Sequence, residues 1–134
     1  MIKSKNAVLV SFFVAAAALT ACAPADGESS SAGLPKGRVE AGELQASVKG
    51  EATGQSCVDC HGADGNQPLD PTYPKIGGQY GDYLGHALQQ YRSGQRDHSL
   101  MSNQARGLTD QQIADLAAFY ASQPSQLSDL SGVY

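Results

Sequence analysis

Two cysteines three positions apart, followed at once by a histidine, constrain this chain more than any other feature: Cys57-Val58-Asp59-Cys60-His61. On a turn of helix, side chains three apart lie on one face, so both sulfurs can reach a single flat partner. The pattern is that of covalent haem attachment. Two thiols form thioethers with the vinyl groups of one porphyrin, and the histidine beneath the ring binds its iron. Other uses of paired thiols fit less well. A zinc site takes four ligands, and beyond this stretch only His86 and His98 offer nitrogen, with no second C-x-x-C. A thioredoxin-like pair belongs in a βαβ setting, for which the chain has no pattern. Cys57 and Cys60 are therefore expected to attach one haem c, with His61 as the proximal iron ligand.

The cysteine total agrees. The chain has 134 residues and three cysteines, and the third, Cys22, falls at the end of an export signal. Lys3 and Lys5 make a short basic start, Ala7 to Leu19 is an almost unbroken apolar run, and small residues follow. That run is too short to span a membrane. Leu19-Thr20-Ala21-Cys22 resembles the lipobox of bacterial lipoproteins, in which cleavage falls just before the cysteine and lipid is attached to it. Ordinary cleavage near Ala21, leaving a free thiol, is the alternative. The expected organisation is a signal peptide over 1–21, an acylated Cys22 with a Ser-, Gly-, Pro- and Ala-rich tether over 22–38, a domain over 39–124 and a tail over 125–134. Without Lys3 and Lys5, seven basic residues face thirteen acidic ones. This balance argues against nucleic acid as a partner.

Within 39–124 the periodicity is helical. Val39, Leu44 and Val48 predict a first helix over some of Val39 to Gln55, weakened by Gly50 and Gly54. Gly62 to Asn66 predicts a turn. Pro68, Pro71 and Pro74 with Gly77 and Gly78 exclude a regular helix or central strand, leaving a loop along one haem edge. Tyr80, Tyr83, Leu84, Ala87, Leu88 and Tyr91 mark an amphipathic helix that Gly94 ends. Residues 94–107 lack periodicity and are expected to form a loop holding Met101. Thr109 and Gln112 read as a capping box that opens a last helix with Ile113, Leu116, Ala117 and Tyr120 on its apolar face, limited by Pro124. The predicted fold is all-α, three to four helices wrapped around one haem, with no sheet. Large aliphatic residues are few and tryptophan is absent, so a buried porphyrin is expected to supply much of the core.

In this order the segments resemble the class I c-type cytochromes, particularly the short bacterial mono-haem ones, over roughly Gly50 to Ser122. Cys57 to Gly62 corresponds to the haem-binding segment, Ala63-Asp64-Gly65-Asn66 to the turn after it, and Pro74-Lys75-Ile76-Gly77-Gly78-Gln79 to the family's proline loop. The resemblance implies that the Pro74 carbonyl accepts the proton of the proximal imidazole. It also implies that a glycine of the first helix packs on an aromatic of the last. Among Gly42, Gly50 and Gly54, the spacing to Cys57 favours Gly50, with Phe119 or Tyr120 as its counterpart. The distal iron ligand is expected to be Met101, the only methionine besides Met1, with His98 and His86 as competitors.

Histidine and methionine together fill both axial positions, which favours electron transfer over oxygen chemistry. The implied function is a one-electron carrier between redox proteins. It is expected to be exported and lipid-anchored to the cell envelope, facing the periplasm or the outside of the cytoplasmic membrane, as a monomer or as a subunit of a redox complex. No nucleophile, acid–base pair or substrate pocket is legible, so no catalytic residues are expected. The alternatives are an electron-entry subunit of a larger oxidoreductase and a haem-based sensor with a labile sixth ligand.

Overall fold

The computed structural model describes residues 32–128. The predicted signal and lipidation site at Cys22 lie outside them, as does the tail beyond 128. Among the described residues there are five helices and no strand: α1 (Val39–Ala46), α2 (Cys57–His61), α3 (Gly81–Ser93), α4 (Ser99–Ala105) and α5 (Asp110–Ala121). The two beyond the three long predicted helices are short ones, the haem motif itself and the segment carrying Met101.

Helix α5 is the spine. Its capping box forms as predicted: the Gln112 amide donates to Thr109 Oγ1 at 3.2 Å and the Thr109 amide to Gln112 Oε1 at 2.9 Å. Ile113, Leu116, Ala117, Phe119 and Tyr120 are all buried. One side of α5 packs on α1 and another on α3. Gly94, with φ +78, takes the left-handed conformation that closes α3.

Helix α1 lies within the predicted range but differs from expectation in face and glycine. It stops at Ala46, before the glycines that weaken the second half of that range, and the predicted apolar stripe points outward, with Leu44 75% and Val48 54% exposed. The buried face is Gly42 and Ala46. A Cβ at Gly42 would overlap the Asp115 carbonyl and lie 2.7 Å from Phe119 Cβ. Gly42, not Gly50, is thus the glycine on which the first and last helices cross, with Phe119 as its partner. The pair meets backbone to backbone, so small residues form the contact and large ones are left outside it.

The chain before α1 is also tighter than a tether. Leu34 is 4% exposed and packs with Ile113 and Ala114, and Gly37 lies against Ala114 and Ala118 of α5. Asp115, buried on α5, accepts from the Arg38 backbone N–H at 2.9 Å and from its guanidinium at 2.6 Å, and from Gln111 at 2.8 Å. The Arg38 guanidinium holds the Asp115 carboxyl below the usual carboxylate range. The predicted tether therefore ends by Leu34, where burial of one leucine and one ion pair fixes the chain. At the other end, Asn66 Nδ2 donates to the Pro124 carbonyl at 2.9 Å and Lys75 Nζ to Gln126 Oε1 at 2.8 Å. The chain is held through 126, past the predicted domain end at 124.

Candidate functional site

The haem motif is a single helical turn with its own cap. Ser56 Oγ accepts from the Asp59 amide at 3.3 Å, and Asp59 Oδ2 accepts from the Ser56 amide at 2.8 Å and from Lys49 Nζ at 2.9 Å. These bonds hold the Asp59 carboxyl down at about 2. The capping box starts the helix one residue before Cys57, so both sulfurs and His61 are positioned by local sequence. Gly62, with φ +86, turns the chain away immediately afterwards.

His61 is buried, and its Nδ1 lies 3.0 Å from the Pro74 carbonyl oxygen. A carbonyl can only accept, so Nδ1 carries the proton and Nε2 keeps its lone pair for a metal. Burial lowers the pKa of the ring, favouring the neutral form that ligates. The proline loop, predicted as irregular, reaches this position through hydrogen bonds from the Ile76 amide to the Gly65 carbonyl at 2.8 Å and from the Gly78 amide to the Tyr120 carbonyl at 2.8 Å.

Cys57, Cys60, His61 and Met101 line one cavity of about 490 Å³, within the usual range for a bound small molecule. Ile76, Leu84, Leu88, Leu116 and Ala117 form its apolar walls, and no carboxylate is among its lining residues. Burial pushes the Cys57 thiol up to about 11. Tyr120 also lines this cavity; its Oη is buried without a hydrogen-bond partner, and burial raises its pKa. A large, flat, mainly apolar group with polar edges fits such a space. Two thiols suit the thioether attachment of haem c, and an imidazole nitrogen and a thioether are both known axial ligands of haem iron. Arg96 sits at the cavity edge with its guanidinium 4.8 Å from the Tyr91 ring centroid.

Around Met101, the structure corrects the expected loop. Residues 99–105 form α4, and Met101 is in its first turn. Two turns of Ser-Leu-Met-Ser-Asn-Gln-Ala are too short to show a stripe, which is why periodicity misses them. His98 caps this helix: its Nδ1 accepts from the Met101 amide at 3.3 Å, and its ring meets Tyr91 edge-on. Imidazole is not a usual cap, so sequence patterns offer no signal for this role. His86 is exposed on α3 and is not among the residues lining the cavity. Gly50, expected at the helix crossing, instead lies beside Gln104 of α4, whose Oε1 would be 2.5 Å from a Cβ there.

Known proteins match this arrangement. The cytochrome c family model aligns with residues 47–123. Cytochrome c-554(548) of Halomonas halodenitrificans is 49% identical over 71 residues, covering 51% of this chain and 84% of that protein. The cytochrome subunit of sulfide dehydrogenase of Chlorobaculum tepidum is 33% identical over 72 residues, covering 54% of this chain and 64% of that protein. The structure of reduced recombinant cytochrome c4 from Pseudomonas stutzeri superposes with a TM-score of 0.56 at 33% identity, covering 66% of this chain and 46% of that one. The chain thus spans under half of the cytochrome c4 structure. With a family model matched across more than half its length, this chain belongs to the cytochrome c family, and its cofactor is covalently bound haem c.

Proposed function

We propose that this cytochrome is a mono-haem one-electron carrier in which Cys57 and Cys60 form the thioethers, His61 is the proximal ligand oriented by Pro74, and Met101 is the distal ligand. The observation that carries this reading is the convergence of all four side chains on one cavity, with His61 Nε2 left unprotonated by the bond to Pro74. Haem, when bound, supplies the one-electron iron couple. The chain's own residues fix the ring covalently, hold an imidazole on one side, offer a thioether on the other and exclude water with Leu84, Leu116 and Tyr120. His98 spends Nδ1 on the α4 cap, which favours Met101 over it. Filling both axial positions of the iron with protein side chains leaves none for a substrate, so the reading is a carrier and not an enzyme.

Cys22 lies outside the described residues, and its acylation rests on the lipobox pattern. In this reading the lipid ties the domain to the envelope, facing the periplasm or the outer side of the cytoplasmic membrane, where its donor and acceptor are redox proteins. Mass spectrometry of the mature N-terminus should find a diacylglyceryl group on Cys22. An unmodified N-terminus beginning at Ala23 or later, in protein that is soluble on lysis, would contradict the anchor.

A second reading is an electron-entry subunit of a larger oxidoreductase. It is favoured by the likeness to a chain named as the cytochrome subunit of sulfide dehydrogenase. Redox titration of the purified protein should show a single one-electron couple, and the reduced form should not bind carbon monoxide. Carbon monoxide binding at once on mixing would point to a sensor with an open iron. Co-purification in gentle detergent with a dehydrogenase would favour the subunit.

A further inference from the structure

We propose that Gln104 is a positioning residue for Met101, latching the distal helix to the loop that leads into the haem motif. The inference rests on the reading of Met101 as distal ligand. Helix α4 has only seven residues, too few to persist alone, and it packs chiefly on α3. Its other polar side chains bond locally. Ser102 Oγ accepts from the His98 amide at 3.1 Å, and Asn103 Nδ2 donates to the Ser99 carbonyl at 2.8 Å. Gln104 alone among these bonds outside its own helix and its cap. Its Nε2 donates to Thr53 Oγ1 at 2.7 Å and to the Gln55 carbonyl at 2.8 Å.

The receiving loop is built to hold still. The Gly50 amide donates to the Gln55 carbonyl at 2.8 Å, and Gly54, at φ +68, closes the turn with its amide on the Gly50 carbonyl at 2.8 Å. Ser56 and Cys57 follow directly. One amide therefore ties the helix of the distal ligand to the segment that starts the proximal one. Gln104 and Met101 are three residues apart on α4, and both line the cavity. The absence of a side chain at Gly50 leaves room for the amide, since a Cβ there would come within 2.5 Å of Gln104 Oε1. An exogenous ligand can reach the iron only when Met101 swings away. The two part-buried bonds of Gln104 disfavour that open state.

The test uses ferric holoprotein titrated with imidazole, alongside the weak near-infrared charge-transfer band of methionine-bound iron. Gln104→Leu should bind imidazole about tenfold more tightly than the parent, as expected for loss of roughly two net hydrogen bonds from the closed state. Gly50→Ala, which keeps the amide but pushes it off the loop, should shift in the same direction by less. Asp115→Asn, which weakens the fold at the α1 end, should leave imidazole affinity at the parent's value. Parent-like imidazole affinity in both Gln104→Leu and Gly50→Ala, with the band present in the parent, overturns the latch and leaves Met101 as ligand. Equal tightening by Asp115→Asn also overturns it, because the effect would then follow global stability. Absence of the band from the parent itself overturns the Met101 reading and the latch with it.

Discussion

The two sides of the haem cavity are built by different means. On the proximal side, Ser56 and Asp59 cap the turn that carries both thiols, and Pro74 orients the His61 ring from a loop pinned at Gly65 and Tyr120. Sequence neighbours do most of the positioning there. On the distal side, Met101 rides on a seven-residue helix capped by an imidazole and tied down by a glutamine about fifty positions from its acceptors. Long-range contacts do the positioning there, so in the proposed ligation the Met101 side is the one expected to open when those contacts are removed.

The largest effect should come from removing the covalent attachment. The large buried apolar side chains among the described residues are few, namely Leu34, Leu84, Ile113, Leu116, Phe119 and Tyr120, and a core of that size is expected to depend on its cofactor for order. Cys57→Ala/Cys60→Ala is expected to give a chain without bound haem and largely without helix by far-ultraviolet circular dichroism. Parent-like helicity with a cooperative melt in that variant would mean that the polypeptide supplies its own core.

Gly42→Ala comes next, because α1 and α5 buttress the proximal side through the cluster of Ala46, Leu116, Phe119 and Tyr120, against which Cys57 and Val58 pack. A methyl at 42 meets backbone that cannot move aside, so a loss of roughly 1–3 kcal/mol is expected in denaturant unfolding. Gly50→Ala meets only the end of a flexible side chain and should cost well under that. Similar losses at the two positions would restore Gly50 as the crossing glycine.

These glycines show what was legible in the sequence. The cap and apolar face of helix α5 could be read, because the cap is local and Ile113, Leu116, Ala117 and Tyr120 are periodic, whereas the burial of Asp115 could not. Helix α1 could not, because its contact is made by Gly42 and Ala46, whose small size carries no hydrophobic signal, while Leu44 and Val48 suggested the wrong face. The site divides likewise. Cys57, Cys60, His61 and Pro74 stand in recognisable local patterns, and the geometry brings them together. Met101 was legible as a residue but not as part of a helix, and Gln104 not at all, since nothing in its neighbourhood indicates that its amide reaches Thr53 and Gln55.

A smaller effect is expected in acid. The folded Asp115 carboxyl lies below its ordinary range because of Arg38. Its stabilisation is complete above the unfolded value near ~3.9 and is lost as pH falls through the lower folded value. Asp115→Asn should therefore be less stable than the parent at neutral pH, and the gap should narrow below about pH 4. A gap that stays constant down to pH 2 would remove the ion pair from the account. Smaller still, Ser56→Ala removes the cap of the haem turn and should cost about 1 kcal/mol. With the thioethers in place, its haem spectrum should match the parent's.

The most direct test of the central claim is the near-infrared absorption of the oxidised protein. Histidine–methionine ligation through His61 and Met101 predicts the weak charge-transfer band of thioether-bound ferric iron in the parent. The band should be lost in Met101→Ala, together with opening of the iron to added ligands. A parent without the band, in which His98→Ala alone creates a high-spin haem, would contradict the account and place His98 at the iron.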